Sequence, residues 1–248
     1  MKIANTELNV NFSPTQDEME QIEQWLIQES KLTDNGFYCN WNEIFSDFHN
    51  GRIAILNYNN CAIGFVTWSI SQFKARIEIA EIKPNLRNKR FGKYLLDALL
   101  ENLIQQTILV VDLHCKPITS KPFWKSLGFI ELPLTNKSTS LTNFFKNKLY
   151  KVLTPATPIF NSESNGDIIE LWCSEPHKKG AEFTSWKWQP KIKNDKSEFE
   201  HPIVFPAHPD WRIQWRKGNI IKKDSKIKYF DKEQIDVEYF IAIRKLPS

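Results

Sequence analysis

Ile82-Lys83-Pro84-Asn85-Leu86-Arg87-Asn88-Lys89-Arg90-Phe91-Gly92-Lys93 stands between an alternating apolar run and a long leucine-rich one. The run before it, Arg76–Ile82 (RIEIAEI), reads as a strand that stops at Pro84, because proline has no N–H for a ladder. The run after it, Gly92–Gln106, reads as a helix: Leu95, Leu99 and Leu103 recur every four residues, with Leu96 and Leu100 beside them. A strand that turns directly into a helix leaves several backbone N–H groups unpaired at the positive end of the helix dipole. A diphosphate suits that place, since an anion gains both the amides and the dipole. Arg87, Lys89, Arg90 and Lys93 add positive charge around it. On the local pattern alone, a solvated basic turn ahead of a helix is an equal reading.

Working outward, Ile108–Leu113 (ILVVDL) is a continuous apolar run, the mark of a strand buried on both faces. A short helix is expected over Ser120–Leu127, with Gly128 as its left-handed cap and Phe129–Leu132 opening another strand. Upstream, Glu7–Phe12 alternates as a half-buried strand. Ser13-Pro14-Thr15-Gln16 reads as a helix start, with Ser13 as cap, Pro14 at the first helical position and Gln16 closing a capping box. Met19, Ile22, Trp25 and Leu26 share one face of that helix, which should end near Ser30. Asn35-Gly36 is a turn, and a second short helix is expected over Trp41–His49. Arg52–Tyr58 and Cys61–Ser71 flank Asn59-Asn60 as a hairpin. Strands alternating with helices make an α/β order.

The pattern decays between Pro133 and Asn165. A boundary is expected near residue 150, dividing the chain into domains 1–150 and 151–248. The second holds five of the nine tryptophans (Trp172, Trp186, Trp188, Trp211 and Trp215) and short β-type runs at Ile168–Cys173, Ile203–Phe205, Trp211–Trp215, Ile227–Phe230 and Val237–Ile243. A smaller, mainly β module is expected there. Its tryptophans serve either a core or a recognition surface, and the second reading requires at least two of Trp186, Trp188, Trp211 and Trp215 to be exposed.

The 248 residues carry 33 basic and 29 acidic side chains, a mixed surface that does not of itself imply nucleic acid. The basic stretch Arg216–Lys228, with Trp211, Trp215 and Tyr229 beside it, suits single strands or an exposed hairpin equally. Residues 150–248 hold 17 basic against 14 acidic residues, so nucleic acid is not the expected partner. No stretch approaches the roughly 20 apolar residues of a membrane span, and Met1–Phe12 lacks the apolar core of a signal peptide, so a cytoplasmic protein is expected. Cys39, Cys61, Cys115 and Cys173 are dispersed and the histidines scattered; no metal site is expected, and the thiols are read as reduced and mostly buried.

Another short segment stands downstream: Phe123-Trp124-Lys125-Ser126-Leu127-Gly128-Phe129. Together the two segments resemble motifs of the GNAT superfamily of N-acyltransferases. The upstream one is similar to the coenzyme-A-binding pattern of a strand, V-x-P, R/Q-x-x-G-x-G/A and a helix. Ile82 takes the hydrophobic place, and Pro84, Arg87 and Gly92 match, while Arg90 stands where the family usually has glycine. The downstream one resembles the family's F-Y-x-x-x-G-F. The resemblance covers about residues 7–132. It implies a mixed central sheet flanked by helices, an acyl-coenzyme A donor (acetyl-coenzyme A being the commonest), and an amine acceptor on a small molecule, peptide or protein. It makes a homodimer an expectation as well, since members are often dimers.

The resemblance also places the chemistry. The motif strand and its neighbour splay apart for the pantetheine arm, and a backbone N–H near Ile82 faces the thioester oxygen. The residues expected around the cofactor are Ile82, Arg87, Asn88, Lys89, Arg90, Phe91, Gly92 and Lys93. The base that takes the amine proton is expected to be Glu78 or Glu81, which face opposite ways on a regular strand. Glu78 is preferred, and a bulge would reverse the choice. His114 is a third candidate. Trp124 occupies the place of the tyrosine that protonates the thiolate in many members, and an indole N–H is no acid at neutral pH. Pro117 stands near where the family commonly has an asparagine. An acyl-coenzyme-A-binding sensor with impaired catalysis is therefore the alternative to an N-acyltransferase.

Overall fold

The structure, a computed structural model, describes residues 7–33, 36–132, 147–153, 166–174, 185–193, 198–230 and 240–247. The chain forms two compact units: Met1–Ile130 with Asn147–Leu149, and Glu131–Lys146 with Tyr150–Ser248.

The sheet of the first unit begins with β1 (Leu8–Asn11), β2 (Ile53–Tyr58), β3 (Cys61–Ser71), β4 (Lys74–Ile82) and β5 (Val110–His114) in that spatial order. β6 (Ile130–Glu131) and β7 (Lys148–Val152) bring it to seven strands, with β7 next to β5. β1 to β4 are antiparallel neighbours, and β5 runs parallel to β4, so the expected mixed sheet is present. The hairpin turn between β2 and β3 puts both Asn59 and Asn60 at positive φ, 50° and 61°, which short polar side chains tolerate.

Four helices accompany the strands among the described residues: α1 (Gln16–Thr33), α2 (Trp41–His49), α3 (Phe91–Gln105) and α4 (Lys121–Ser126). α1 starts two residues later than Pro14 suggests, because the reciprocal cap is Thr15 with Glu18. The Thr15 N–H donates to Glu18 Oε2 at 2.6 Å, and the Glu18 N–H donates to Thr15 Oγ1 at 3.3 Å. Met19, Ile22, Trp25 and Leu26 of α1 pack with Ile44 of α2 onto Ile53, Ile55, Phe65 and Ile79 of the sheet. Strand alternation turns Ala54, Leu56 and Val66 to the other face, where α3 packs on β2, β3 and β4. Leu95, Leu96, Leu99, Leu100 and Leu103 are all buried there, each contributing roughly 1.5–3 kcal/mol relative to exposure.

One glycine in this sheet has no room to change. A Cβ built on Gly64 of β3 would stand 2.3 Å from Ile82 Cδ1 and 2.9 Å from the Glu81 carbonyl oxygen. The first atom can move, but the second is backbone. Gly64→Ala is expected to lower the unfolding free energy by about 1–3 kcal/mol, as overpacking does. Urea denaturation checks this; a midpoint equal to that of the wild type would show that β3 and β4 can separate freely.

In the second unit β8 (Asp167–Trp172), β9 (Ser185–Trp188), β11 (Arg212–Lys217) and β12 (Ile220–Lys226) form a four-stranded sheet in the order β12-β11-β8-β9. β10 (Glu198–Pro206) pairs with β13 (Phe240–Lys245). Residues 227–230, expected as a strand, instead make a 3₁₀ turn over Ile227–Tyr229, held by the Ile227 N–H to Trp211 O at 2.9 Å. The start of the run expected from Val237 lies outside the described residues.

The tryptophans settle as a core. Trp188 and Trp211 are 2% and 7% exposed, and Trp186 and Trp215 are half-buried against the same cluster of Ile169, Leu171, Ile213 and Ile243. None of the four is exposed, so the recognition surface expected from them is corrected: a small sheet uses its largest apolar side chains to close itself. Within the basic stretch, Lys226 and Lys228 reach Asp210 and Lys223 donates to Phe230 O; just ahead of it, Arg212 pairs with Asp224 and lies over Trp172. All four cysteines are free, but Cys39 and Cys61 are exposed rather than buried.

Candidate active site

The loop into α3 is built from an unusual backbone. Pro84–Leu86 make one 3₁₀ turn, Arg87 is extended, and Asn88 and Arg90 both take left-handed angles, φ 64° and 66°. Arg90, which stands where the motif it resembles has glycine, keeps a conformation that glycine adopts freely and that costs other residues about 1–2 kcal/mol. The first amide to bond back into the helix is that of Tyr94, to Arg90 O at 3.1 Å. No side chain caps α3, and among the described residues nothing accepts from the N–H groups of residues 88 to 93. Lys89 and Arg90 are exposed, whereas Lys93 pairs with Asp97 at 2.7 Å. Gly92 gives this loop its clearance: a Cβ there would stand 3.2 Å from Phe123 Cζ and 3.7 Å from Ile82 Cγ1. Ile82, Gly92 and Phe123 thus meet at the head of α3, while the Phe91 ring packs on Tyr58 with centroids 5.3 Å apart.

β4 and β5 pair only from Lys74–Val110 to Ile77–Leu113. A part-buried bidentate ion pair, Arg76 to Asp112 with both contacts at 3.0 Å, clasps the strands just before they part. Beyond it, Glu78–Ile82 runs on without β5. The Lys83 N–H bonds to Ile63 O on the β3 side, so alternation turns the Ile82 amide to the open edge.

Side chains satisfy that amide. The Ile82 N–H donates to Glu81 Oε1 at 3.2 Å, and Ile82 O accepts from Arg87 Nε at 3.0 Å. Arg87 Nη2 donates to Glu81 Oε1 at 2.7 Å and to Glu29 Oε1 of α1 at 2.6 Å. Arg87, expected beside the cofactor phosphates, is thereby committed to two carboxylates and a carbonyl. Glu29 is buried, and its Oε2 has no hydrogen-bond partner. Burial pushes the Glu81 carboxyl above its ordinary range; the Arg87 guanidinium pulls it down and the Glu29 charge pushes it up.

A bulge interrupts β4 upstream. Thr67 pairs with Ile79 and Trp68 with Ile77, leaving Glu78 as the extra residue. The regular strand would send Glu78 and Glu81 to opposite faces, but here both work on the helical face of α1 and α2. Glu81 meets Glu29, and the charge of Glu78 acts on Asp47 of α2. Asp47 is held above the usual carboxylate range, first by burial and further by Glu78, against the pull of Arg52. Glu78 itself is exposed and accepts from Ser69 Oγ at 2.6 Å.

Trp124 is buried on α4 against Phe123 and Phe129, while His114 ends β5 exposed and Pro117 opens the turn into α4. Sequence reasoning missed Glu29 and Asp47. Glu29 had a signal: it continues the buried Met19-Ile22-Leu26 face of α1, where a carboxylate needs a partner. Among the described residues no cluster of His, Cys, Asp and Glu could hold a metal, and no helix is long and apolar enough to cross a membrane.

A parted pair of strands beside a helix with no side-chain cap is a place in an α/β domain where an anion would be favoured. Residues 16–129 match the model of the acetyltransferase (GNAT) family. The fold is similar to that of a GNAT-family acetyltransferase from Staphylococcus aureus (17% identity, 59% of this chain and 99% of that one, TM-score 0.46). It is also similar to the PaiA N-acetyltransferase of Thermoplasma acidophilum in complex with coenzyme A (17%, 59% and 99%, 0.44) and to a GNAT acetyltransferase from Bacillus cereus (16%, 59% and 97%, 0.44). No curated protein matches the chain.

Proposed function

We propose that this protein is an N-acyltransferase that moves an acyl group, acetyl first among them, from coenzyme A to an amine. The observation that carries the reading is the run of unpartnered amides at residues 88–93, opening beside the gap between β4 and β5. Those amides, with Lys89 and Arg90, suit a pyrophosphate. Arg87 holds the loop in place from behind rather than meeting the phosphates. Acetyl-coenzyme A would supply an acyl thioester whose thiolate is the leaving group. Ile82 would present its N–H to the thioester oxygen at the open edge of β4. The bulge brings Glu78 and Glu81 to one face instead of exchanging their roles, and Glu81 is held by Arg87 and the Ile82 N–H. Glu78, exposed and accepting from Ser69, would therefore take the proton of the attacking amine. Trp124 would wall the site without donating a proton, so solvent protonates the departing sulfur. The cytoplasm, where acyl-coenzyme A is available, is the setting this reading requires.

Two measurements test it. Purified protein screened against a panel of amines should release free thiol from acetyl-coenzyme A; release independent of every amine would reject acyl transfer. Lys89→Ala with Arg90→Ala is expected to weaken coenzyme A binding by roughly tenfold at low salt, and to flatten the fall of affinity with ionic strength. An unchanged salt dependence would move the phosphates elsewhere.

A further inference from the structure

The Ile82 peptide faces the open edge of β4, yet it is not free. Its N–H is held by Glu81 Oε1 at 3.2 Å and its carbonyl by Arg87 Nε at 3.0 Å. An unpaired strand edge has to place such groups somewhere, and here two side chains take the part of a missing strand. Glu81 Oε1 is fixed from the other side by Arg87 Nη2 at 2.7 Å, and the same nitrogen is anchored by Glu29 at 2.6 Å. Gly36 closes over Glu29: a Cβ there would stand 3.1 Å from Oε2. The anchor is therefore deep, and the contact at the Ile82 N–H is the long one at the end of the chain of bonds.

We propose, resting on the acyl-coenzyme A reading above, that Glu81 is a placeholder for the acyl carbonyl: its carboxylate occupies the Ile82 N–H until a thioester oxygen displaces it, which makes Glu81 the residue that sets the balance between acyl-coenzyme A and free coenzyme A. A peptide N–H has one proton to give, so the carboxylate and the carbonyl compete for it. Displacement is feasible because Glu81 loses only its weaker bond and keeps Arg87. Free coenzyme A has no carbonyl at its sulfur and meets no such competition. Glu29 and Arg87 are positioning residues in this arrangement. They touch neither ligand and hold the carboxylate within reach of the N–H.

Calorimetric titration of the whole protein with coenzyme A and with acetyl-coenzyme A separates the possibilities. Glu81→Ala is expected to raise affinity for acetyl-coenzyme A about three- to tenfold, the weight of one ordinary hydrogen bond, and to leave coenzyme A within about twofold. Glu81→Gln, which keeps an acceptor oxygen, should stay near the wild-type ratio. In the wild type, the ¹⁵N-resolved amide proton of Ile82 should shift on adding acetyl-coenzyme A and not on adding coenzyme A, which tests the idea even where a variant does not fold. Equal changes in both affinities, or an Ile82 amide that responds identically to both ligands, overturns the placeholder and leaves the cofactor reading intact. Failure of wild-type protein to bind either ligand removes both.

Discussion

Arg87→Ala should lower the unfolding free energy at pH 7 by about 3 kcal/mol, the lower end of the range for breaking a buried ion pair because the guanidinium is 41% exposed. For a chain of this size that is roughly 6–12 °C in Tm. Two carboxylates, Glu29 and Glu81, would be left facing each other behind α1 with no cation between them. The pH dependence carries a definite sign. Glu81 already sits above its ordinary value of 4.5 because burial disfavours its charge, and removing Arg87 takes away the main opposing pull. A carboxyl with a raised folded pKa binds its proton more tightly in the native state. Its stabilising contribution is present below 4.5 and is lost as pH rises through the folded value. The gap between variant and wild type should therefore narrow from pH 7 toward pH 5. Thermal melts across that range check it, and a gap that widens on acidification contradicts the assignment.

Glu78→Gln should lower kcat by a factor of about 10²–10⁴, the usual loss when a general base is removed, with coenzyme A affinity unchanged. The acid limb of the pH–rate profile, where the base becomes protonated, should vanish with it. Steady-state kinetics on any accepted amine make the comparison. A kcat within about threefold of wild type, with the limb still present, would remove Glu78 as the base and leave Glu81 or His114 to be tried. Glu81 is the less free of the two carboxylates, since Arg87 and the Ile82 N–H already share its Oε1.

The contrast between these two glutamates shows where sequence reading reached and where it stopped. The first unit was legible because its elements obey simple periods. The leucines of α3 repeat every four residues, the run into β5 is mostly apolar, and Asn59-Asn60 announces its hairpin. The head of α3 was legible because Pro84 and the helix pattern set its limits. The bulge at Glu78 was not, for one extra residue leaves no mark in an alternating run such as RIEIAEI; it exists only in the register against β3. The partners of Arg87 were not legible either. Glu29 lies 58 positions away, and a carboxylate on an apolar helix face says that a cation is needed without saying which. In the second unit, the tryptophan-rich runs showed strands but not their burial. A half-exposed and a buried indole are spelled alike, and the turn at Ile227–Tyr229 reads as a strand until Trp211 is seen to hold it.

Arg90 has a bearing on how such domains are found. A search for the letters R/Q-x-x-G-x-G/A passes over this loop, since its fourth letter is wrong. A search for two left-handed residues spaced by one, ahead of a helix with no side-chain cap, finds it at once in Asn88 and Arg90. The signature is then a pair of dihedral angles, of which glycine is only the commonest spelling. A chain that spells it with arginine accepts backbone strain and gains a guanidinium at the head of the helix.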